Sequence, residues 1–189
     1  GRNVFKLLFE EPAFEVAAIN DLTDAKTLAH LLKYDSAQGR FDADVKSTED
    51  SIVVNGDILK IYAQKDPSQI PWASHDVDVV LECTGVFEDM KAMGHIEAGA
   101  KKVVISAPVK DKQIPLLILG VNEDNYNGEK LISNRSCTTN CTAPIVKLID
   151  EKIGFQEGTL TTIHAITSTQ NIVDGSHKDL RRARAASSN

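Results

Sequence analysis

Short apolar segments alternate with segments of helical spacing along this chain, and that alternation limits its fold more than any other feature. Residues 14–20 and 77–82 are mostly apolar runs that end in a polar residue. Such runs are typical of strands that helices cover on both faces of a parallel sheet. A helix between two parallel strands makes a β-α-β crossover. We therefore predict an α/β fold built on a doubly wound, mostly parallel sheet.

The other elements follow from the same periodicities. Their predicted spans are a helix at 24–32 capped by Asp24, a hairpin of 51–55 and 58–63 around Gly56-Asp57, a helix at 88–98, strands at 102–106, 116–119 and 131–133, a helix at 136–153 and a β-rich segment at 158–168. Pro144 is expected to kink or divide the helix that contains it. The chain begins inside a helical pattern and ends without a stop signal, so residues are expected to be missing at both ends.

The composition argues against several classes of protein, namely membrane-spanning, secreted, nucleic-acid-binding and zinc-binding proteins. No apolar run approaches the roughly 20 residues of a membrane span, and no signal peptide is recognisable. A net charge of −6 argues against nucleic acid as the main partner. The three cysteines form neither a disulfide framework nor a zinc set, so no metal is predicted. A cytoplasmic protein without membrane contact is expected.

Several polar residues follow the predicted strands, where open α/β sheets bind ligands. Asp21 suits a ribose-binding carboxylate, but a helix-capping turn residue is an equally good interpretation. Gly85, after Thr84, would let the backbone approach a cofactor, although a tight turn is the favoured interpretation. Lys65 would suit an adenine-side contact, although a solvated turn is the favoured interpretation, and Ser106 follows another strand. The residues alone leave these alternatives open.

Cys137 is the main catalytic candidate. A thiol in the first turn of a helix meets unpaired N–H groups, which favour the nucleophilic thiolate. Ser136 and Thr138 place hydroxyls beside it, and these can either cap the helix or bind a phosphate. A cysteine nucleophile needs a base, and His164 is the histidine of the β-rich segment. Cys141 lies one helical turn further on and is expected to pack as a small side chain.

Two segments carry a resemblance to a known family. Residues 133–144 (SNRSCTTNCTAP) closely resemble the active-site segment of the glyceraldehyde-3-phosphate dehydrogenases, and residues 161–170 (TTIHAITSTQ) resemble their histidine segment. The spacing of Cys137 and His164 also matches the family. Shorter motifs match in the same order, namely AIND at 18–21, ECTGVF at 82–87, VISAP at 104–108 and DLRRARAA at 179–186. The resemblance therefore covers essentially the whole chain.

The resemblance implies roles for the candidate residues. Cys137 would attack the aldehyde of glyceraldehyde 3-phosphate, and His164 would act as the base while a hydride passes to NAD. Inorganic phosphate would then cleave the resulting thioester to give 1,3-bisphosphoglycerate. Ser136 and Thr138 match positions for the attacking phosphate, and Thr167 matches one for the phosphate of the substrate. The positions that match NAD contacts are Asp21, Lys65, Thr84, Gly85 and Ser106.

The resemblance also implies the organisation of the protein. It predicts a Rossmann-type NAD-binding domain at residues 1–136 that lacks its first strand, and the start of an α+β catalytic domain at residues 137–189. A cytoplasmic homotetramer acting in glycolysis is expected for the intact protein, because residues 181–184 match the family's loop at the cofactor-lined subunit interface. The isolated chain is expected to be inactive, since the family's glycine turn and its remaining substrate-binding residues are missing from it.

Other interpretations stay open. Arg135 stands where the family commonly has a small residue. Gly175-Ser176 differs from the pair often found in NAD-specific members, which leaves NADP as an alternative, although Asp21 favours NAD. Erythrose-4-phosphate dehydrogenase shares the motifs and is the nearest alternative function. Cys137 with His164 would also suit a thiol hydrolase or acyltransferase without NAD, and a noncatalytic binding module is a third alternative.

Overall fold

The computed structural model of the protein describes residues 1–188. The chain divides into two compact units, Gly1–Leu148 and Ile149–Asn189. Within residues 1–188, every strand belongs to the first unit, and the second unit holds the end of the last α-helix followed by mostly irregular chain. No helix among these residues is both long enough and apolar enough to cross a membrane.

The described chain contains nine β-strands and four α-helices. In chain order they are α1 (Arg2–Glu10), β1 (Ala18–Asn20), α2 (Ala25–Lys33), β2 (Tyr34–Asp35), β3 (Gly39–Arg40), β4 (Val45–Ser47), β5 (Ser51–Val54), β6 (Asp57–Tyr62), β7 (Val79–Glu82), α3 (Gly94–Glu97), β8 (Lys102–Ile105), β9 (Leu131–Ser133) and α4 (Cys137–Ile153). Short 3₁₀ turns connect several of them.

The strands of the first unit form two main sheets. One has the order β1-β6-β5-β4, in which β1 and β6 are parallel and the other neighbours are antiparallel. The other consists of the parallel strands β7, β8 and β9. β2 and β3 make a separate hairpin. The predicted α/β class with a parallel sheet is confirmed, and so is the hairpin of β5 and β6, while the antiparallel pairs of β4 with β5 and of β2 with β3 were not predicted.

The parallel strands form two separate sets, each of which matches one flank of a doubly wound fold. In the common order 3-2-1-4-5-6, the second and third strands pair on one side of the first strand and the fourth to sixth strands on the other. The pair β1 and β6 and the trio β7, β8 and β9 correspond to these two flanks. Among the described residues β1 and β7 are not paired with each other, so each has one edge outside a ladder.

Local sequence explains where several elements begin and turn. Asp24 caps α2 by accepting the Thr27 N–H at 2.8 Å, as its position predicted. The hairpin between β5 and β6 turns at Asn55-Gly56, where φ is 53° and 103°. Asn and Gly tolerate this left-handed conformation, which tight two-residue hairpins need. The predicted turn at Gly56-Asp57 is therefore displaced by one residue.

Two hydrophobic clusters form the core of the first unit. The first joins α1 and α2 to the first sheet and includes Phe5, Leu32, Ile52, Val54 and Leu59. The second surrounds β7, β8 and β9 and includes Ile70, Trp72, Val80, Val103 and Ile105. Burial of such side chains is the main favourable contribution to folding, so these clusters fix the strands whose ends carry the candidate site.

Residues 116–119 do not form the predicted strand. Leu116 makes a single parallel bridge with Ser133, and the side chain of Asn122 binds the neighbouring backbone. Its Nδ2 donates to the Leu116 carbonyl at 2.9 Å, and its Oδ1 accepts the Ile118 N–H at 2.7 Å. The Asn122 carboxamide thus forms hydrogen bonds with one N–H and one C=O of this segment, groups that a partner strand would otherwise bind. The prediction of a strand here is wrong.

Two predicted helices differ from the structure. Residues 88–98 form a 3₁₀ turn at Met90–Met93 and then the short α3, so the prediction of one continuous helix is wrong. Close packing accompanies the break, because a Cβ added to Gly94 would lie 2.9 Å from Pro67 Cγ. Helix α4 continues past Pro144, so this proline does not divide it.

Residues 158–168 of the second unit are irregular instead of β-rich, and all of them are exposed. A strand needs a neighbour that receives its N–H and C=O groups, and the described part of this unit contains no such neighbour. The β-branched composition therefore gives a wrong prediction for this segment. The domain boundary between residues 136 and 137 stays a prediction.

Candidate functional site

The candidate residues of the first unit share one structural position. Each follows the carboxyl end of a parallel strand, the edge at which open α/β sheets bind ligands. The positions are Asp21 after β1, Lys65 after β6, Thr84 and Gly85 after β7, Ser106 after β8, and Ser136, Cys137 and Thr138 after β9. The topology thus groups Asp21 with Lys65, and the remaining residues with one another.

Two hydrogen bonds of the Asn20 side chain, called the clasp below, join the ends of β1 and β6. The carboxamide of Asn20 donates to the Gln64 carbonyl at 3.0 Å and accepts the Gln64 N–H at 2.9 Å. Lys65 comes next in the chain and is exposed, and Asp21 is half-buried beside this clasp. One carboxylate oxygen of Asp21 accepts the Thr23 N–H at 2.9 Å. Asp21 therefore combines the turn-capping role with a position at the ligand edge.

Thr84 and Gly85 form a turn that a buried carboxylate holds. Glu82, at the end of β7, accepts the Thr84 N–H at 2.6 Å through Oε1 and also accepts the Thr84 hydroxyl. The same hydroxyl accepts the Val86 N–H at 3.1 Å. Gly85 has φ 69° and is exposed, a conformation that glycine adopts without steric cost. Because the Thr84 hydroxyl hydrogen is engaged inward, a ligand here would meet mainly the backbone.

Glu82 belongs to a buried chain of hydrogen bonds that sequence reasoning missed. Its Oε2 lies 3.1 Å from His95 Nε2, and Trp72 Nε1 donates to His95 Nδ1 at 3.1 Å. Glu82 and His95 are each 4% exposed. An indole N–H only donates, so His95 Nδ1 must accept and Nε2 must carry the hydrogen that Glu82 receives. Burial raises the pKa of the Glu82 carboxyl, but hydrogen bonds from His95 and Thr84 outweigh it and lower that pKa.

A cleft lies between the ends of β6 and β7. Its lining includes Lys65, Asp66, Phe87, Met90 and Lys91. The lysines share the cleft with the carboxylates of Asp66 and Glu97, so the lining offers an aromatic ring together with both signs of charge. Lys91 and Phe87 were not among the predicted site residues, although Phe87 ends the ECTGVF motif at 82–87, and nothing in the sequence distinguishes Lys91 from an ordinary helix position.

Ser133 connects the loop after β8, which begins at Ser106, to the segment before α4. The Ser106 N–H extends the ladder by donating to the Glu82 carbonyl at 2.9 Å, and its side chain is exposed. Ser133 is fully buried, and its hydroxyl donates to the Ala107 carbonyl at 2.6 Å. That hydroxyl also accepts the Arg135 N–H at 3.1 Å. The loop after β8 and the loop before Cys137 therefore share one hydroxyl.

Cys137 is the first residue of α4 and is exposed. Ser136 caps the helix, because its hydroxyl accepts the Thr139 N–H at 3.1 Å and contacts the Thr139 hydroxyl at 2.8 Å. Thr138 is half-buried in the same turn. The first turn of a helix presents unpaired N–H groups and the positive end of the helix dipole, so this position stabilises negative charge. A thiolate or a bound phosphate would benefit from it.

His164 and Thr167 lie in the irregular chain of the second unit, and both are exposed. His164 Nδ1 is 2.7 Å from the Ala165 carbonyl, which only accepts, so Nδ1 carries the hydrogen. In the neutral ring Nε2 is then the basic nitrogen. Thr167 Oγ1 contacts Thr169 Oγ1 at 3.0 Å, and the Thr167 N–H donates to Gln170 at 3.1 Å.

No group of three or more His, Cys, Asp or Glu side chains in the described part of the chain is arranged to hold a metal ion. The cysteines at 83, 137 and 141 are not joined in disulfide bonds. Cys141 is exposed rather than packed, so the interpretation of it as a small buried side chain is wrong. Helix α4 has no buried residue among those described, which explains the exposure.

Comparison with known proteins identifies two matching family models. Residues 1–90 match the model described as glyceraldehyde 3-phosphate dehydrogenase, NAD binding domain. Residues 136–189 match glyceraldehyde 3-phosphate dehydrogenase, C-terminal domain. The second match contains Cys137, His164 and Thr167, and the first contains Asp21, Lys65, Thr84 and Gly85.

Individual relatives cover nearly the whole chain. Glyceraldehyde-3-phosphate dehydrogenase 2 of Bacillus subtilis (strain 168) is 50% identical over 188 residues, which are 98% of this chain and 55% of the relative. The enzymes of that name from Clostridium acetobutylicum and Geobacillus stearothermophilus are 52% and 51% identical over 190 and 189 residues. Those matches cover 98% of this chain and 57% and 56% of the relatives. The chain thus spans about half the length of the curated relatives it matches.

Proposed function

The chain belongs to the glyceraldehyde-3-phosphate dehydrogenase family, and from this premise we propose that the protein containing it oxidises glyceraldehyde 3-phosphate. The reaction consumes NAD and inorganic phosphate and produces 1,3-bisphosphoglycerate and NADH, a step of glycolysis. One observation carries the proposal. Cys137 begins α4 directly after a parallel strand, at the sheet edge where the neighbouring strands end in the proposed cofactor contacts.

The residues of the first unit fit NAD. Asp21 offers a carboxylate at the end of β1, where it suits the ribose hydroxyls. Lys65 lines the cleft beside it, and the exposed Gly85 allows close approach of the backbone after Thr84. Ser106 presents an exposed hydroxyl at the end of the next strand. When bound, NAD supplies the hydride acceptor of the reaction.

Cys137 forms and breaks the covalent bonds. Its thiolate attacks the aldehyde carbon, and the oxygen of the thiohemiacetal takes up a proton. His164 then removes that proton as the hydride leaves the same carbon, which yields a thioester on Cys137. Phosphate attacks the thioester carbon and releases the thiolate, and His164 gives its proton to water, so the enzyme returns to its starting state when the acyl phosphate leaves. The helix terminus stabilises the thiolate at the start and at the end of this cycle.

Neutral hydroxyls and backbone N–H groups hold the phosphates. Ser136 and Thr138 lie in and before the first turn of α4, where phosphate meets the positive end of the helix dipole. We assign them to the attacking phosphate and Thr167 to the phosphate of the substrate. Such donors bind a dianion without a metal ion. We further propose that the intact protein is a homotetramer in the cytoplasm, in keeping with its family.

The test measures NADH formation by the protein that contains this chain, with glyceraldehyde 3-phosphate, NAD and inorganic phosphate. Cys137→Ser should lower kcat by at least about a thousandfold, because it removes the nucleophile. Cys141→Ser is the matched control, since it removes an exposed thiol of the same helix and should keep most of the activity. Activity that survives Cys137→Ser would contradict the proposal. A higher kcat/KM with erythrose 4-phosphate would assign the reaction to that substrate instead.

A further inference from the structure

Asn140 makes an unusual pair of contacts one turn into α4. Its Nδ2 donates to the Asn134 carbonyl at 2.6 Å and to the Ser136 carbonyl at 3.0 Å. The Ser136 carbonyl also accepts the Asn140 N–H at 3.0 Å, the first hydrogen bond of the helix. The half-buried Asn140 carboxamide therefore donates both of its hydrogens to the loop that precedes Cys137.

That loop has a backbone that needs support. Arg135 has φ 63°, a left-handed conformation that costs a side-chain-bearing residue about 1 kcal/mol or more. From the sheet side, the Asn134 N–H donates to the Ile105 carbonyl at 2.9 Å, and the buried Ser133 hydroxyl accepts the Arg135 N–H. From the helix side, the support comes from Asn140. The segment is thus fixed from both ends, immediately before the thiol.

We propose that Asn140 is a positioning residue for Cys137. By engaging the carbonyls of Asn134 and Ser136, it keeps the left-handed turn closed and holds Cys137 at the first helical position. There the positive end of the helix dipole favours the thiolate. Without Asn140 the loop can relax, and the thiol moves away from the helix terminus. This inference rests on the proposed role of Cys137 as the nucleophile.

The experiment follows alkylation of the purified chain by iodoacetamide, read cysteine by cysteine with peptide mass spectrometry. The thiolate reacts, so the rate at neutral pH reports how far the site favours it. Asn140→Ala should slow Cys137 by roughly two- to fivefold, the size expected when an exposed charge loses a helix terminus. At a pH where both proteins hold the thiolate, their rates should converge, which a purely structural role would not produce.

Three comparisons make the result specific. Asn127→Ala is the matched control, because it also removes a carboxamide that donates to a loop carbonyl, at 2.8 Å, and should leave the Cys137 rate unchanged. Asn140→Gln keeps both donors on a longer side chain and should fall between Asn140→Ala and the parent. Cys83, which is half-buried, serves as the monitor of folding, since its rate rises if a variant unfolds.

Two outcomes would overturn the inference in different ways. If Cys137 reacts quickly in the parent chain and equally quickly in Asn140→Ala with Cys83 protected, the positioning role is wrong and the nucleophile stands. If Cys137 in the parent reacts no faster than the exposed Cys141, both the positioning role and the nucleophile assignment are overturned.

Discussion

Arg135 adopts a conformation for which its side chain is poorly suited. Its φ of 63° lies in the left-handed region, where glycine is favoured and β-branched residues are strongly disfavoured. The sequence signals only that an arginine stands where the resembling family commonly has a small residue. It gives no sign of the left-handed turn, because neither Gly nor Asn occupies the position.

The first prediction concerns substitutions at this position. Arg135→Gly should leave the free energy of unfolding unchanged or raise it by up to about 1 kcal/mol, since the relief of strain exceeds the entropy that glycine loses on folding. Arg135→Val should lower it by about 1–2 kcal/mol. Urea unfolding followed by circular dichroism measures both. A glycine variant less stable than the valine variant would contradict the left-handed conformation.

Glu82 connects three elements through buried hydrogen bonds, so a substitution of Glu82 affects how these elements are held together. The carboxylate at the end of β7 binds His95 of α3, and His95 binds Trp72 of the preceding 3₁₀ turn. Because Trp72 only donates, each later group in this chain has a fixed role as donor or acceptor. Position 82 must therefore accept through both of its oxygen atoms.

The second prediction follows from that requirement. Glu82→Gln places an N–H₂ group against either His95 or Thr84, both of which donate, and should cost on the order of 1–3 kcal/mol of unfolding free energy. Trp72→Phe removes the constraint on His95, so Glu82→Gln should cost less in that background. A double-mutant cycle of thermal or urea unfolding measures the difference. Equal costs in both backgrounds would show that the hydrogen-bond direction is not fixed by Trp72.

The same substitution has a pH dependence of known sign. The folded-state pKa of Glu82 is lowered, so its contribution to stability is present above the unfolded-state pKa and is lost as pH falls through the folded-state value. Glu82→Gln removes this titration. Stability of the variant should therefore fall less steeply on acidification than stability of the parent chain.

The elements that were predicted correctly are those whose residue pattern indicates their structure directly. β7, β8, β9 and α4 were predicted close to their observed positions, because short apolar runs indicate the three strands and the helical spacing of apolar residues indicates α4. The strand predicted at 116–119 is absent because the side chain of Asn122, a few residues further along, binds the backbone of that segment. The strand predicted at 158–168 is absent because the described part of its unit contains no partner strand. The motif around Cys137 was recognisable, but Asn140, Ser133 and Glu82 act through contacts that no spacing rule reveals.

In a polypeptide limited to residues 1–188, β1 and β7 would each present one open edge. Within residues 1–188 neither edge is paired, and unpaired strand edges are templates for association with other chains. The Asp78 and Glu82 carbonyls accept N–H groups from the β8 side, at Lys102 and Ser106. Since the direction of backbone groups alternates along a strand, the N–H of Val79 faces the open edge and that of Val80 faces β8.

The third prediction uses this alternation. The purified chain should associate as its concentration rises, and Val79→Pro should weaken that association, because proline removes an edge N–H at the first residue of a strand without breaking the ladder. Val80→Pro is the control, since it removes a donor to β8 from a buried position and should unfold the sheet. Sedimentation velocity across concentrations measures association, and circular dichroism measures folding. Undiminished association of a folded Val79→Pro chain would place the contact elsewhere than on β7.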